Sequence, residues 1–395
     1  MPQTVSTPTD GSPRLGVFVG RFQPFHEGHL HVMVSALEHV DHLLVLVGSA
    51  DAPRGLVNTF TVSERIDMIR ASLAPDQLER VTLMGLEDSK DSNDEWVASV
   101  KQKAHQVWEQ QCGTGPAHVT LVGHSKDHTS YYLCLFPEWA SLDVHGVPGQ
   151  NGQVLSATPL REHLLGSQRF WFEFLDREPG AKKGEFIERA VDRARPAALA
   201  WLDSRPAGII AATIPLLRAF VQSAAFEDPC REAAYAAYFR YAWRYSPYAP
   251  MFVTADPVVF HGDHVLMIRR ADYPGRGQWA LPGGFVEADE PIYEACLREL
   301  VEETALGLDK DELHERRFFY KHYDHPRRSV RGRVITHAYG FFLDPASPRP
   351  QARFNDESLD LAWVHVNDLR RDQSFEDHYN IVHRFHARLQ ELRQA

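Results

Sequence analysis

Cysteine is scarce: the 395-residue chain has four, Cys112, Cys134, Cys230 and Cys296, with no C-x-x-C pair among them. That pattern argues against a disulfide framework or a structural zinc site and fits a reducing compartment. Long apolar runs are lacking too. The longest, Gly208 to Leu217, is about half a membrane span and contains Pro215. Met1 to Pro13 is polar and rich in Thr, Ser and Pro, without the basic and apolar regions of a secretory signal, so a cytoplasmic protein with no membrane partner is expected. Positive charge is in deficit: 42 Lys and Arg stand against 53 Asp and Glu, a net of −11. Phosphate backbones and anionic surfaces want a basic field, so no nucleic-acid partner is expected. A small anion can still be held by a local site.

Apolar material is ample. Hydrophobic residues make up 44% of the chain, enough for buried cores, and at about 150 residues per domain the length suggests two or three domains. In the first half, short β-like runs (Leu15–Val19, Leu43–Val47, Val81–Met84, Val119–Val122) alternate with amphipathic stretches (Leu30–His39, Ser63–Leu73, Glu95–Gln110). This alternation predicts a doubly wound parallel sheet over residues 14–180. Residues 185–248 show helical spacing only and read as a helical connector, stopped by Ser246-Pro247-Tyr248-Ala249-Pro250. From 250 to 395 strands and helices mix without strict alternation, which predicts an α+β domain.

Two constellations carry chemistry. Leu15–Val19 runs into Gly20-Arg21-Phe22-Gln23-Pro24-Phe25-His26-Glu27-Gly28-His29, with a helix starting near Gly28. Gly20 permits a tight turn, and Gly28 lets an anion approach the unpaired N–H groups of a helix start, where His26 and His29 can both face it. Taken alone, two histidines in a chain of 21 are most simply surface residues. The second constellation runs from Trp279-Ala280-Leu281-Pro282-Gly283-Gly284 through Glu290 to Arg298-Glu299-Leu300-Val301-Glu302-Glu303. Three carboxylates share one helix face. Such a face is either solvated, paired with arginine, or the holder of a hard divalent cation.

The full strings decide between these readings. Gly20–His29 resembles the H-x-G-H signature of the nucleotidyltransferase superfamily, in the form found in nicotinamide mononucleotide adenylyltransferases. Leu155-Ser156-Ala157-Thr158-Pro159-Leu160-Arg161 is similar to that family's I-S-x-T-x-x-R element. Asn58–Arg65 resembles its N-P-F-T-x-x-E-R segment, with Thr59 in place of proline, and Gly123–Tyr132 its G-x-x-K-D stretch. The resemblance implies catalytic roles for His26, His29 and Arg161. It implies ATP or phosphate contacts for Gly20, Arg21, Phe22, Gly28, Lys126, Ser156 and Thr158, and mononucleotide contacts for Arg65, Asn93 and Trp96, whose indole face suits a cationic ring.

The second string resembles the Nudix box at Gly284, Glu290, Arg298, Glu299, Leu300, Glu302, Glu303 and Leu306, with Ala305 where glycine is usual. By that resemblance Glu299, Glu302 and Glu303 bind Mg²⁺, or Mn²⁺ in its place. Glu302 is catalytic, Arg298 orients a glutamate, and Glu357 (or Asp356) supplies a general base. Gly307 is expected to take over the helix-ending turn from Ala305. Together the two motif sets resemble the bifunctional adenylyltransferase–Nudix family, whose substrates are ATP, nicotinamide mononucleotide and ADP-ribose. The alternatives are a Nudix domain acting on another nucleoside diphosphate, or one that only senses a ligand. A homo-oligomer is compatible with the sequence.

Overall fold

The computed structural model describes residues 12–88, 93–113, 115, 117–123, 134–149, 154–354 and 358–394. The chain forms two compact units. The first takes the chain up to Gln168 and then Arg189–Cys230; the second takes Arg169–Glu188 and Arg231 onward. The helical stretch read from the sequence as a separate connector is therefore divided between them.

In the first unit, β1 (Leu15–Gly20), α1 (Glu27–Leu37), β2 (His42–Val47), α2 (Val62–Ser72), α3 (Pro75–Glu79), β3 (Val81–Gly85), α4 (Asn93–Gln111), β4 (Val119–Gly123), β5 (Ala140–Asp143) and α5 (Ala157–Leu165) follow in order. All five strands are parallel, in the order β3-β2-β1-β4-β5. The chain winds one way from β1 and then the other, so the switch point lies between the C-terminal ends of β1 and β4, where such sheets bind ligands. β1 and β2 are apolar because helices cover both faces of the sheet. Leu15, Val17, Leu44 and Leu46 pack with Val100, Ala104, Val107 and Trp108 of α4. The unexpected strand is β5. Its sequence, Ala-Ser-Leu-Asp, is short, polar and mostly exposed, the character of an edge strand.

Of the helices after α5, α6 (Gln168–Arg177) and α7 (Lys183–Glu188) belong to the second unit except for Gln168. α8 (Ala190–Asp203) and α9 (Ile214–Gln222) belong to the first. α10 (Glu227–Tyr241) contributes to the first up to Cys230 and to the second beyond it. Arg195 on α8 ties down the end of α9 by donating to the carbonyls of Val221 (3.0 Å) and Ser223 (3.3 Å).

The second unit continues with β6 (Met251–His261), β7 (His264–Arg270), β8 (Trp279–Ala280), β9 (Gly284–Phe285), α11 (Ile292–Thr304), α12 (Lys310–Glu315), β10 (Arg317–Tyr323), β11 (Arg333–Leu343), β12 (Ser358–His365) and α13 (His378–Gln394). The sheet is mixed, with a main path β10-β11-β6-β7-β12; β8 pairs with β7 and β9 with β6. Among the strand pairs of the described residues, β6 and β11 alone run parallel. Strand alternation splits the core into two layers. Ala255 and Val259 pack on Ala295, Cys296 and Leu300 of α11, while Val258 and Phe260 pack on Ile381, Val382 and Phe385 of α13. Among the described residues, no helix is long and apolar enough to cross a membrane.

Candidate active sites

β1 ends at Gly20, and a Cβ there would stand 2.6 Å from the Phe22 ring. Glycine is what lets that ring fold back over the strand end. Phe22, at a φ of 52°, lies edge-on to Phe18, Phe25 and His29. Next comes a helix cap built from histidine. His26 Nδ1 accepts from the Gly28 N–H at 3.1 Å, and His29 Nδ1 accepts from the His26 N–H at 3.3 Å. The two imidazoles stack with centroids 3.7 Å apart. A main-chain N–H can only donate, so each ring accepts at Nδ1 and carries its proton at Nε2.

This cap corrects one expectation. The N–H groups at the start of α1 do not await an anion: Glu27 donates to the Gly208 carbonyl (3.0 Å), Gly28 to the His26 ring, and His29 and Leu30 to the His26 carbonyl (2.9 and 3.1 Å). These backbone donors are already used within the protein, so an anion met at the turn would face the two histidine rings at Nε2 instead. α5 differs. Ser156 is its N-cap but makes no side-chain capping bond, and Thr158 is exposed in its first turn.

Arg161, in the second turn of α5, donates to the Gln23 carbonyl at 2.8 Å and so joins the second motif to the first. Burial, helped by the charge of Arg21, pulls its pKa down to about 10. Gln23 grips Phe60 at both main-chain atoms, its Nε2 donating to the carbonyl and its Oε1 accepting from the N–H, each at 2.8 Å. Nothing in the sequence pattern singles out Gln23 for this, beyond its place inside the motif.

Arg65, expected at the mononucleotide, is placed otherwise. It is 1% exposed and donates to the carbonyls of Arg21 (2.8 Å), Gly48 (2.6 Å), Ser49 (3.2 Å) and Thr61 (3.1 Å). A five-donor fork buried among carbonyls fixes loops rather than ligands. Its pKa is also pulled to about 10, mainly by burial. Trp96 lies half-buried in the first turn of α4, 6.0 Å from the Phe136 ring and packed on the sheet core, with Asn93 exposed at the helix's first residue. Lys126 lies outside the described residues.

In the second unit, Gly284 leaves room for the Glu299 carboxyl. A Cβ there would stand 2.6 Å from Glu299 Cδ. Arg298 is the hub of the site. It clasps Glu290 through Nε (3.0 Å) and Nη2 (2.7 Å), and reaches Glu299 (2.9 Å) and Glu302 (3.0 Å) through Nη1. The bidentate pairing, with an added Glu287 N–H, holds the Glu290 carboxyl down at about 2. Burial raises Glu299 above the usual carboxylate range, against the pull of Arg298. Glu303 turns the other way and accepts from the Gly283 N–H at 2.8 Å.

Among the described residues, no three acidic, histidine or cysteine side chains converge to share an ion. Arg298 spans Glu299 and Glu302, while Glu303 faces the β-strand loop. The donor set still fits a hard divalent cation, since three carboxylates, Glu290, Glu299 and Glu302, gather around the Arg298 guanidinium and a fourth, Glu303, follows Glu302 on the same helix. Asp356 and Glu357 lie outside the described residues. Ala305 adopts the left-handed conformation itself (φ 45°, ψ 31°) and its N–H bonds to the Val301 carbonyl at 2.8 Å, whereas Gly307 takes no positive φ. The helix stop therefore stays at Ala305. The sequence reading passed over Asp256, a lone acid in the apolar β6 run. It is 4% exposed, accepts from the Thr336 hydroxyl at 2.8 Å, and is pushed up to about 6 by burial. It lies directly behind Gly283.

Fold and sites together define a cytidylyltransferase-like nucleotidyltransferase unit followed by a Nudix unit, and the family models agree: residues 17–162 match the cytidylyltransferase-like family and 251–385 the NUDIX domain. The chain is 37% identical over 146 residues to the nicotinamide/nicotinic acid mononucleotide adenylyltransferase of Acinetobacter baylyi, covering 37% of this chain and 72% of that protein. It is 34% identical over 180 residues to the nicotinamide-nucleotide adenylyltransferase of Methanocorpusculum labreanum, covering 45% of this chain and 95% of that one. The chain belongs to the nicotinamide mononucleotide adenylyltransferase family and carries a Nudix domain after it. Among solved structures, it is similar to a bifunctional NMN adenylyltransferase/ADP-ribose pyrophosphatase from Francisella tularensis, complexed with AMP and a manganese ion. That match has 28% identity and a TM-score of 0.74, and spans 96% of this chain and 99% of the other.

Proposed function

We propose that the chain is a two-activity enzyme of NAD metabolism. The first unit joins ATP and nicotinamide mononucleotide to give NAD and pyrophosphate; the second hydrolyses ADP-ribose to AMP and ribose 5-phosphate. The end-to-end correspondence with the Francisella bifunctional protein carries this reading, because it covers both units and their order.

In the first reaction, a phosphate oxygen of the mononucleotide displaces pyrophosphate at the α-phosphorus of ATP, and no protein nucleophile is needed. The site must align two anions and stabilise the charge that develops. His26 and His29 supply N–H donors whose tautomer is already set, so no ring has to reorganise. Arg161 adds a planar fork from α5, in a region where Arg21 already makes the field positive. Trp96 is assigned to the nicotinamide ring and Asn93 to its polar edge.

The second unit uses a divalent cation, Mg²⁺ by this reading, with Glu299, Glu302 and Glu303 as the residues that would hold it. Such an ion neutralises a diphosphate and lowers the pKa of a bound water. Arg298 keeps Glu299 and Glu302 oriented and sets Glu290 as a fixed brace. A second reading, in which this unit binds a nucleoside diphosphate without cleaving it, draws on Arg298 lying across two of the three ligands.

Purified protein should form NAD from ATP and nicotinamide mononucleotide, and cleave ADP-ribose only when Mg²⁺ or Mn²⁺ is present. His29→Ala should lower NAD formation by about two to three orders of magnitude, the usual cost of removing a donor to developing oxyanion charge, and leave hydrolysis intact. Glu302→Gln should do the reverse. A wild type that makes no NAD overturns the first assignment. One that is inert toward ADP-ribose with either metal leaves the sensing reading.

A further inference from the structure

Part of the region between the two motif-bearing segments, read from sequence as a connector without chemistry, belongs to the first unit and bonds there to the H-x-G-H turn. Gly208 and Glu27 are 181 positions apart and bond reciprocally: the Glu27 N–H donates to the Gly208 carbonyl at 3.0 Å, and the Gly208 N–H donates to Glu27 Oε2 at 3.2 Å. Glu27 is the variable residue of the H-x-G-H turn, and its neighbours on either side are His26 and Gly28. Gly208 is buried, with a φ of +89°, a conformation that side-chain-bearing residues rarely adopt. A Cβ on it would stand 2.8 Å from Leu155 Cδ1 and 3.6 Å from Leu160 Cδ2. Leu155 immediately precedes the N-cap of α5, and its Cβ lies 3.8 Å from where a Cβ on Gly28 would be. One glycine thus touches the starts of both helices that carry the motifs.

We propose that Gly208 and Glu27 form a positioning clasp for adenylyl transfer, setting the histidine cap of α1 against the start of α5. The proposal rests on the adenylyltransferase reading above. Without the Gly208 carbonyl, the Glu27 N–H loses its acceptor and the first turn of α1 is free to shift. His26 and His29 take their orientation from that turn through their Nδ1 bonds. Arg161 takes its own from α5. The clasp fixes the distance between the two sets of phosphate-facing groups, and neither member of it needs to touch substrate.

The test compares Glu27→Gln, Glu27→Ala and Gly208→Ala in the full chain. Glu27→Gln keeps an oxygen that can accept from the Gly208 N–H, so its kcat for NAD formation should stay within about twofold of wild type. Glu27→Ala should lose roughly tenfold in kcat, as misplacement of catalytic groups costs rate before affinity, with the KM values for ATP and the mononucleotide changing little. Gly208→Ala should lose at least as much. A merely structural role predicts a lower Tm with unchanged kcat, or equal losses in the Gln and Ala variants; either result overturns the proposal. The ¹⁵N chemical shifts of the two histidine rings give a readout independent of turnover. Wild type should show protons on Nε2 of both His26 and His29, and Glu27→Ala should disturb that pattern while Glu27→Gln should not. If the wild type makes no NAD but its ring shifts respond in this way, the functional assignment fails and the clasp stands. If the shifts do not respond, the clasp fails. Should Gly208→Ala not fold, the Glu27 pair decides.

Discussion

A histidine's usefulness depends on which nitrogen holds the proton, and in both units the main chain makes that choice. At His26 and His29 the choice directs Nε2–H away from the cap. At His378, on α13, the Leu281 N–H donates to Nδ1 at 2.9 Å in a buried position. Burial, reinforced by the charges of Arg328, Arg270 and Arg331, holds this imidazole well below the usual histidine range. The ring is neutral when folded and takes up a proton near 6.5 when unfolded. Its contribution to stability is therefore complete above that pH and is lost progressively as the pH falls below it. His378→Asn, which retains an acceptor but does not titrate, should show a shallower fall in Tm between pH 7 and pH 5 than wild type, measured by calorimetry. A parallel pair of curves would mean His378 does not set the acid sensitivity.

Elements end where local geometry allows, and α11 ends under strain. The left-handed stop falls on Ala305, a residue whose Cβ makes that conformation cost about 1 kcal/mol relative to glycine. Ala305→Gly should raise the stability of the second unit by about that amount in denaturant unfolding, with ADP-ribose turnover equal or modestly higher. A loss of stability would show that Ala305 is held there by favourable contacts. Both the box helix and the presence of a stop were legible in the sequence. Which residue adopts the left-handed turn was not, because Ala305, Gly307 and the chain between them all permit a turn on paper. The strands of the first sheet were legible from their apolar runs, and β5 was not, since an exposed edge strand needs no such run. Arg65 shows a third kind of limit. Its motif was visible, but the carbonyls of Arg21, Gly48, Ser49 and Thr61 come together only in three dimensions.

At the scale of the molecule, the Nudix motif range understates what the second unit needs. Lys183 pairs with Asp272 at 2.5 Å, Glu232 accepts from the Gly275 N–H at 3.0 Å, and Ile187, Tyr235 and Tyr273 form one apolar cluster. Each contact joins the loop after β7 to helical residues that precede residue 250. A fragment covering 250–395 should therefore unfold well below the full chain's second transition and bind hydrophobic dye. An equal melting temperature would show these contacts to be dispensable. The alternation of units along the chain could not be read from composition, because the helical segments 169–188 and 189–230 look alike in periodicity and differ only in which sheet they serve.

That alternation also sets an order of events during synthesis. A polypeptide leaves the ribosome from its N-terminus at about 5–20 residues per second, and a unit can close only when its last segment has emerged. The first unit is incomplete until Cys230 is out, so the Gly208 side of the clasp reaches Glu27 long after that residue has been made. Meanwhile Arg169–Glu188, with the apolar side chains of Trp171, Leu175, Phe186 and Ile187, has been translated but has no unit to join until the chain beyond Arg231 follows. Those twenty residues are the stretch of nascent chain that a holding chaperone would find exposed, and the delay before their burial grows with every slow codon between Arg231 and the end of α13.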